Sequence, residues 1–178
     1  MSTTVRTATQ DDAGLLHDLA VATFGLACPP GTTEDAIAEH LATTLSDTGF
    51  AGYLADAGRI LLIAEVDGVP AGYSMLVFEE PTDADVVAAI TVRPAVELSK
   101  FYVVQGHHGS GVGETLMAAT LAVAPERGGA SVWLGVNQHN ARANRFYEKH
   151  GFTQVGTKRF RLGGQWENDF VRELVLKN

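Results

Sequence analysis

Apolar residues recur every three to four positions in four stretches of the chain, which is the spacing of one face of an α-helix. These stretches begin near Asp11, Thr33, Val112 and Asn140. Thr33 and Asn140 are good helix caps, and an acidic residue at the first start suits the positive end of the helix dipole. The pattern therefore predicts four amphipathic helices, the second of which reaches Leu45.

Other stretches alternate apolar with polar residues or are rich in β-branched and aromatic side chains, as strands are. Asp67-Gly68 predicts a tight hairpin, and Gly163-Gly164 predicts a turn near the end of the chain. The polar segment 79–85 predicts a loop, and 86–96 predicts part of a strand and a connection. The predicted strands cover 3–9, 59–66, 71–78, 96–104, 130–136, 152–160 and 167–176.

The order of these elements predicts the fold class. Without repeats or a linker, it predicts one α/β domain over residues 1–178, an α+β layered structure with a mixed central β-sheet flanked by helices. The 178 residues are 46% hydrophobic, which is ample for a single core. The regular strand–helix alternation of a doubly wound dinucleotide fold is not present.

The amino-acid composition limits the kinds of partner that the protein is expected to bind. The net charge of −8 and the absence of any Lys/Arg-rich run argue against nucleic acid and against an anionic membrane. The start of the chain has no apolar core of signal-peptide type, so we expect a cytoplasmic protein. The single cysteine, Cys28, excludes an internal disulfide framework. His107 and His108 have no further ligands at a useful spacing, so we expect no metal.

A glycine turn stands directly before the third predicted helix. Gly109, Gly111 and Gly113 alternate there, and a glycine-rich turn at a helix start suits a phosphate group. The dinucleotide fingerprint fails because its third glycine would fall on Glu114, and the Gly-Lys-Ser/Thr of a P-loop is absent. A tight strand-to-helix turn is the alternative, although it asks for only one glycine.

Two motifs together resemble the GNAT superfamily of acyl-CoA-dependent N-acetyltransferases. The first is the turn H-x-x-G-x-G at His108, Gly111 and Gly113, and the second is N-x-x-A-x-x-F-Y-E-K-x-G-F from Asn140 to Phe152. The resemblance covers essentially the whole chain. One position departs from the family, since His108 stands where the family has Gln or Arg, which puts a side-chain contact to phosphate in doubt there.

The resemblance implies the GNAT fold and acetyl-CoA as cosubstrate. It implies that a strand pairs with the pantetheine arm, that the glycine turn holds the pyrophosphate, and that the last helix approaches the CoA arm. Asn140 also fits as a plain helix cap. The implied contacts are Phe101, Tyr102 and Val103 for the strand, His108, Gly109, Ser110, Gly111, Val112, Gly113 and Glu114 for the turn, and Asn140, Ala143 and Tyr147 for the helix.

Tyr147 and Glu97 are the catalytic candidates. By resemblance, Tyr147 points at the sulfur of acetyl-CoA, where a phenol protonates the departing thiolate. Glu97, predicted on one strand face with Ser99, Phe101 and Val103, suits the removal of a proton from an attacking ammonium. The alternatives are a packed helix aromatic and an exposed strand glutamate. The resemblance also implies that the amine attacks the thioester directly, without an acyl-enzyme, so Cys28 is not needed as a nucleophile.

A narrower resemblance is to the PaiA-type bacterial polyamine N-acetyltransferases, carried in part by Gly163 and Asp169 near the end of the chain. It implies a polyamine or another small cationic amine as acceptor. An antibiotic, an amino acid or a protein N-terminus are alternatives, as is a non-catalytic acyl-CoA-binding regulator. The resemblance implies an acceptor pocket around 24–35, 49–56 and 79–95. Many relatives form homodimers, and the last two strands offer edges for one.

Overall fold

The computed structural model describes residues 2–28, 31–107, 110–162 and 164–177. Within them the chain forms seven β-strands and six α-helices. The strands are β1 (Thr3–Thr7), β2 (Arg59–Val66), β3 (Val69–Val77), β4 (Ala95–Val103), β5 (Ser131–Asn137), β6 (Thr153–Leu162) and β7 (Gln165–Val175). The helices are α1 (Ala13–Ala27), α2 (Glu34–Ala42), α3 (Asp47–Ala55), α4 (Ala84–Ala89), α5 (Val112–Val123) and α6 (Ala141–Lys149).

The strands form one mixed sheet in the order β1-β2-β3-β4-β5-β7-β6. Neighbouring strands are antiparallel except β4 and β5, which are parallel. The mixed sheet confirms the predicted α/β class. The prediction that both terminal strands offer edges is wrong for β7, because it pairs with β5 on one side and β6 on the other. Only β6 of that pair stands at an edge.

Helices cover both faces of the sheet. On one face, α1 and α3 pack on β2 and β3 through a cluster that includes Leu16, Phe50 and Tyr73. On the other face, α5 packs through Leu116 and Met117. The core therefore lies in two layers, one on each side of the sheet, as alternating strand residues require.

Local signals placed most elements correctly. The hairpin at Asp67 and Gly68 is present, with φ of 50° and 83°, and the Thr33 side chain caps α2 by accepting a hydrogen bond from the Ala36 N–H at 3.1 Å. The second predicted helix is wrong at its end, since α2 stops at Ala42 and Leu45 lies buried in the turn before α3.

Two short helices fall where none is predicted. The segment of α3 holds two glycines, which weaken a helical signal, yet the Ser46 hydroxyl caps it by accepting from Gly49 N–H at 3.1 Å. The α4 segment is rich in valine and follows a polar loop, which favours a strand assignment. Asp83 caps it instead, accepting from the Asp85 N–H at 2.9 Å, and Val86 packs into the core.

Candidate active site

The central parallel pair of strands separates along its length. β4 and β5 pair only at Ala95–Glu97 with Ser131–Trp133. Beyond that point β4 stays paired with β3 and β5 stays paired with β7, so the two strands diverge. The divergence opens a cleft of about 720 Å³ that passes from one face of the sheet to the other.

A β-bulge at Ser99 sets which side chains of β4 face each side of this cleft. Leu98 pairs with Leu76 and Lys100 pairs with Met75, which leaves Ser99 as the extra residue. A one-residue insertion reverses the side-chain alternation that follows it. The prediction that Glu97 shares a face with Phe101 and Val103 is therefore wrong.

The cleft consequently has two halves. Phe101 and Val103 pack with the α5 side of the sheet, and Tyr102 packs with the α1 side, where Glu97 and Lys100 also lie. The α5/α6 half is lined by Phe101, Val103, Gly113, Glu114, Asn140, Ala143, Phe146 and Tyr147. The charged half is lined by Thr23, Phe24, Cys28, His40, Thr44, Glu97, Lys100, Gly135, Asn137, Lys158 and Asp169.

Strand β4 presents backbone groups to the gap between the strands. The N–H of Val104, directly after β4, donates a hydrogen bond to the carbonyl of Ala71 on β3 at 2.8 Å. Alternate residues of an antiparallel pair bond to the same neighbour, so Tyr102 also faces β3. The N–H and C=O of Phe101 point the other way, toward the gap, where they can pair with an extended ligand.

The α5 helix begins at the glycine turn. Gly111 is its N-cap and has a φ of 90°, a left-handed conformation that favours glycine. Gly113 has a different reason to lack a side chain, because a Cβ there would lie 3.2 Å from the Phe146 ring. His108 and Gly109, predicted to contact the pyrophosphate, lie outside the described residues.

The first-turn amides of α5 point toward the cleft end of the helix, as at any helix N-terminus. The Ser110 N–H already donates to the His107 carbonyl at 3.2 Å. The backbone N–H of Glu114 and the Lys149 ammonium, 3.2 Å away, lower the pKa of the Glu114 carboxyl. That carboxylate is anionic at neutral pH, which leaves the amides of Val112 and Gly113 as the better donors to a phosphate.

Helix α6 is fixed at the cleft by its cap and by a buried network. Asn140 caps it, accepting a hydrogen bond from the Ala143 N–H at 3.1 Å. Asn144 donates to the carbonyls of Asn137 and Asn140 at 3.1 and 3.0 Å, and accepts from Arg172 on β7 at 3.0 Å. The network joins α6 to β5 and β7, so the residues that α6 directs into the cleft are held in place.

Helix α6 also brings the hydroxyl group of Tyr147 into the α5/α6 half. The residue is 9% exposed and packs edge-on against Phe101, Phe146 and Phe152, with ring centroids 5.8–6.4 Å apart. Burial, and then the nearby Tyr102, raise the pKa of the Tyr147 phenol above its usual range. The hydroxyl therefore stays protonated at neutral pH and is available as a proton donor.

Two groups of β4 face the charged half. Burial raises the pKa of the Glu97 carboxyl, while Lys158, Arg59 and Lys100 lower it in part. Burial lowers the pKa of Lys100 to about 8, an effect that Glu97 opposes and Arg59 increases. Glu97 is thus a carboxyl group among cations in a poorly solvated place, which suits a group that accepts and releases a proton.

A polar row from three strands forms the opposite wall of the charged half. Lys158 on β6 pairs with Asp169 on β7, and Asp169 pairs with Asn137 on β5. A Cβ on Gly135 would lie 2.7 Å from the Lys158 chain and 3.4 Å from the Asp169 carboxylate, so this glycine makes room for both. Burial raises the pKa of Asp169 to about 6.

Asn137 carries an unused donor in this wall. The residue is 8% exposed, and its Oδ1 accepts from the His139 N–H at 2.9 Å. Its buried Nδ2 has no hydrogen-bond partner among the described residues. A buried donor without a partner is costly in a folded protein, so a ligand carbonyl in the cleft would satisfy it.

Several of these groups were not predicted. Lys100, Lys158, Asn137 and His40 carry no motif, and they meet only through tertiary structure. Of the segments 24–35, 49–56 and 79–95 that are predicted for the acceptor pocket, only the first contributes to the described lining of this cleft, through Phe24 and Cys28. Instead, the β6–β7 hairpin supplies the wall through Lys158 and Asp169.

Cys28 lies in the charged half although it is distant from the motifs in sequence. Its thiol donates to the Phe24 carbonyl at 3.3 Å, and burial raises its pKa. A protonated thiol is a poor nucleophile. In the part of the chain that the structure describes, no group of three or more His, Cys, Asp and Glu side chains could hold a metal ion. No helix among those residues is long and apolar enough to cross a membrane.

Comparison with known proteins agrees with this geometry. Residues 25–152 match the Acetyltransferase (GNAT) family. An uncharacterized N-acetyltransferase of Mycobacterium tuberculosis (strain H37Rv) is 46% identical over 166 residues, which covers 92% of this chain and 99% of the relative. An uncharacterized N-acetyltransferase of Lactobacillus delbrueckii is 28% identical over 141 residues, 79% and 78% of the two chains. The chain therefore belongs to the GNAT family of acetyltransferases.

Solved structures share the fold. The PaiA N-acetyltransferase of Thermoplasma acidophilum, in complex with coenzyme A, has a TM-score of 0.78 at 18% identity and covers 99% of this chain and 100% of its own. The protein yncA of Salmonella typhimurium, with its cofactor acetyl-CoA, has a TM-score of 0.65 at 23% identity, covering 99% and 95%. The predictions of family, fold class and enzyme class are confirmed: the chain is a GNAT-type N-acetyltransferase.

Proposed function

We propose that the chain, as one domain over residues 1–178, transfers an acetyl group from acetyl-CoA to a primary amine by direct attack. The observation that carries this proposal is the cleft between β4 and β5. It places a protonated tyrosine, Tyr147, in one half and a carboxylate of raised pKa, Glu97, in the other. The two groups that amine acetylation needs thus reach a single cavity from opposite faces of the sheet.

The α5/α6 half suits the CoA part of the donor. The exposed backbone of Phe101 offers strand-like pairing to the amide groups of a pantetheine arm. The first turn of α5, which Gly111 opens, offers amides and a positive dipole end to a diphosphate. Asn140 and Ala143 line the path between them. Proteins of this fold have been solved with coenzyme A and with acetyl-CoA, which supports this assignment.

The charged half suits the amine. An amine near neutral pH is mostly ammonium and must lose a proton before its lone pair attacks. Glu97 accepts that proton, directly or through water. The free amine then forms a bond to the thioester carbonyl carbon and the carbon–sulfur bond breaks. Tyr147 gives its proton to the leaving sulfur, and the surplus proton on the new amide nitrogen returns to solvent or to the tyrosine.

The predicted polyamine acceptor draws support from the likeness to the PaiA fold and from Glu97 and Asp169 in the charged half. Two lysines, Lys100 and Lys158, line the same half and oppose a multiply charged amine. A homodimer stays a prediction, with the β6 edge as the surface for it.

The proposal is tested first by thermal melting. Acetyl-CoA and CoA should raise the melting temperature through binding to the native state, whereas NAD and ATP at the same concentration should not. Release of the CoA thiol should then be followed over a panel of polyamines, amino acids, aminoglycosides and peptides. A melting temperature that is unchanged by CoA, together with no thiol release, would overturn the proposed function.

A further inference from the structure

Lys100 is a cation without an ionic partner in the wall of the cleft. Its ammonium lies 5.5 Å from the centre of the Tyr53 ring, a cation–π contact. Among the residues described, no carboxylate lies within ion-pair distance of it. The nearby Arg59, by contrast, pairs with Asp56 at 3.1 Å. A partly buried cation of this kind gains from an anion that enters the cleft.

The ionisable groups of the charged half balance one another. Glu97 and Asp169 supply two negative charges, and Lys100 and Lys158 supply two positive ones, all lining the same half. Burial lowers the pKa of His40 and raises that of Cys28, so both are uncharged at neutral pH. A polyamine would bring several positive charges beside two lysines, whereas a ligand with one charge of each sign fits the balance.

The spacing along β4 matches a small ligand. Glu97 pairs with Val77 and Lys100 pairs with Met75, two residues apart on β3. Because the bulge at Ser99 adds a residue without adding length, their Cα atoms are about 7 Å apart and their side chains leave on the same face. An amine and a carboxylate a few bonds apart can therefore contact both side chains at once.

We propose that the acceptor is a free amino acid, whose carboxylate is bound by Lys100 while its amine faces Glu97. This rests on the proposed acetyltransferase function and selects the acceptor class within it. A monoanionic carboxylate is favoured over a phosphate, because a second negative charge would be repelled by Glu97 and Asp169. Phe24, which packs on the α1 side of the sheet, offers apolar surface to the side chain of the amino acid. His40, which stacks on Phe24 with ring centroids 4.6 Å apart, lies beside this site.

The test compares each of the twenty amino acids with its α-amide, which keeps the shape and loses the negative charge. The amide has the more acidic ammonium, so intrinsic reactivity favours it and works against the proposal. With the native enzyme, kcat/KM for the preferred amino acid should exceed that for its amide by about 10- to 100-fold, as expected for a charge-assisted contact. Lys100→Met should reduce this ratio to near one, and Lys100→Arg should keep most of it.

Lys177→Met is the matched control, because Lys177 is exposed near the end of the chain and does not line the cleft. Its ratio should equal that of the native enzyme. Melting temperatures with and without acetyl-CoA should show that Lys100→Met folds and binds the donor. If acetyl-CoA does not raise the melting temperature of the native enzyme, the result counts against the proposed function itself.

Three results would overturn the amino acid assignment while leaving the acetyltransferase intact. One is a native enzyme that prefers amides or spermidine to every amino acid. Another is an amino acid preference that Lys100→Met leaves unchanged. The third is donor binding without acetylation of any of the twenty amino acids.

Discussion

The α5/α6 half and the charged half of the cleft present a ligand with different kinds of surface. The α5/α6 half offers backbone groups of β4 and α5, set among aromatic rings, with Tyr147 as its buried hydroxyl. The charged half offers side chains from six elements, and its two carboxylates and two ammonium groups are brought together from β4, β6 and β7. In the function we propose, the backbone groups recognise the donor that the family shares, and the side chains recognise the particular acceptor.

The two halves also differ in what they contribute to folding. Tyr147 belongs to a buried apolar cluster with Phe152 and Met117 and therefore adds to the core. Glu97, Lys100 and Asp169 all have pKa values shifted against their charged forms by burial. Such shifts mean that the charged half costs stability at neutral pH. Removing packed side chains from the α5/α6 half should therefore lower stability, whereas removing charges from the charged half should raise it.

The largest effect is expected at Tyr147. Tyr147→Phe keeps the packing of the ring and removes the proton that we propose passes to the leaving sulfur, so kcat should fall about 100-fold while acetyl-CoA binding and melting temperature stay nearly unchanged. Steady-state kinetics would measure this fall in kcat, under conditions in which acetyl transfer is shown to be the rate-limiting step. Tyr102→Phe is the matched control, because Tyr102 is a second tyrosine that lines the cleft, from the opposite face. A large loss for Tyr102→Phe and none for Tyr147→Phe would move the acid to the other half.

A smaller effect is expected at the start of α5. Gly111→Asp puts a negative side chain beside the proposed diphosphate site and forces a non-glycine residue to a φ of 90°. We expect KM for acetyl-CoA to rise about 10- to 50-fold, which corresponds to about 1.4–2.3 kcal/mol. Gly128→Asp provides the control, since Gly128 has a φ of 85° near the other end of the same helical stretch and open space around it. If KM for acetyl-CoA rises equally in both variants, backbone strain alone explains the effect.

The α5/α6 half could largely be predicted from the sequence because its signals are local. The glycine turn opens α5, Asn140 caps α6, and Tyr147 follows at helical spacing, all within residues 111–147, which fold against one another. The assignment of the side chains to CoA and catalysis stays a prediction. The hairpin at Asp67-Gly68 is another local signal that the structure confirms.

The charged half could not be predicted in the same way. A bulge is a property of strand pairing, and the letters around Ser99 do not show that Glu97 and Phe101 end on opposite faces. Asp169 and Lys158 meet Glu97 only because β7 inserts between β5 and β6. The helices α3 and α4 were missed for a related reason, since their caps, Ser46 and Asp83, compete with glycine-rich and valine-rich segments that disfavour a helical assignment.

The smallest effect is expected at Asp169, and it measures the cost of the charged half. Burial raises the pKa of Asp169 from 3.8 to about 6, so the folded protein holds a proton that the unfolded chain releases between those values. Stability therefore falls as the pH rises through this window, and the cost is fully present above pH 6. Asp169→Asn removes the charge with little change of shape, so the melting temperature should rise by a few degrees at pH 7.5. The gain should shrink as the pH falls toward 4, because the native carboxyl is then neutral as well.

Asp18→Asn, at an exposed carboxylate on α1, should show no such pH-dependent gain. If Asp169→Asn instead lowers the melting temperature at pH 7.5, the pairing with Lys158 outweighs the burial, and the charged half stabilises the fold as the α5/α6 half does.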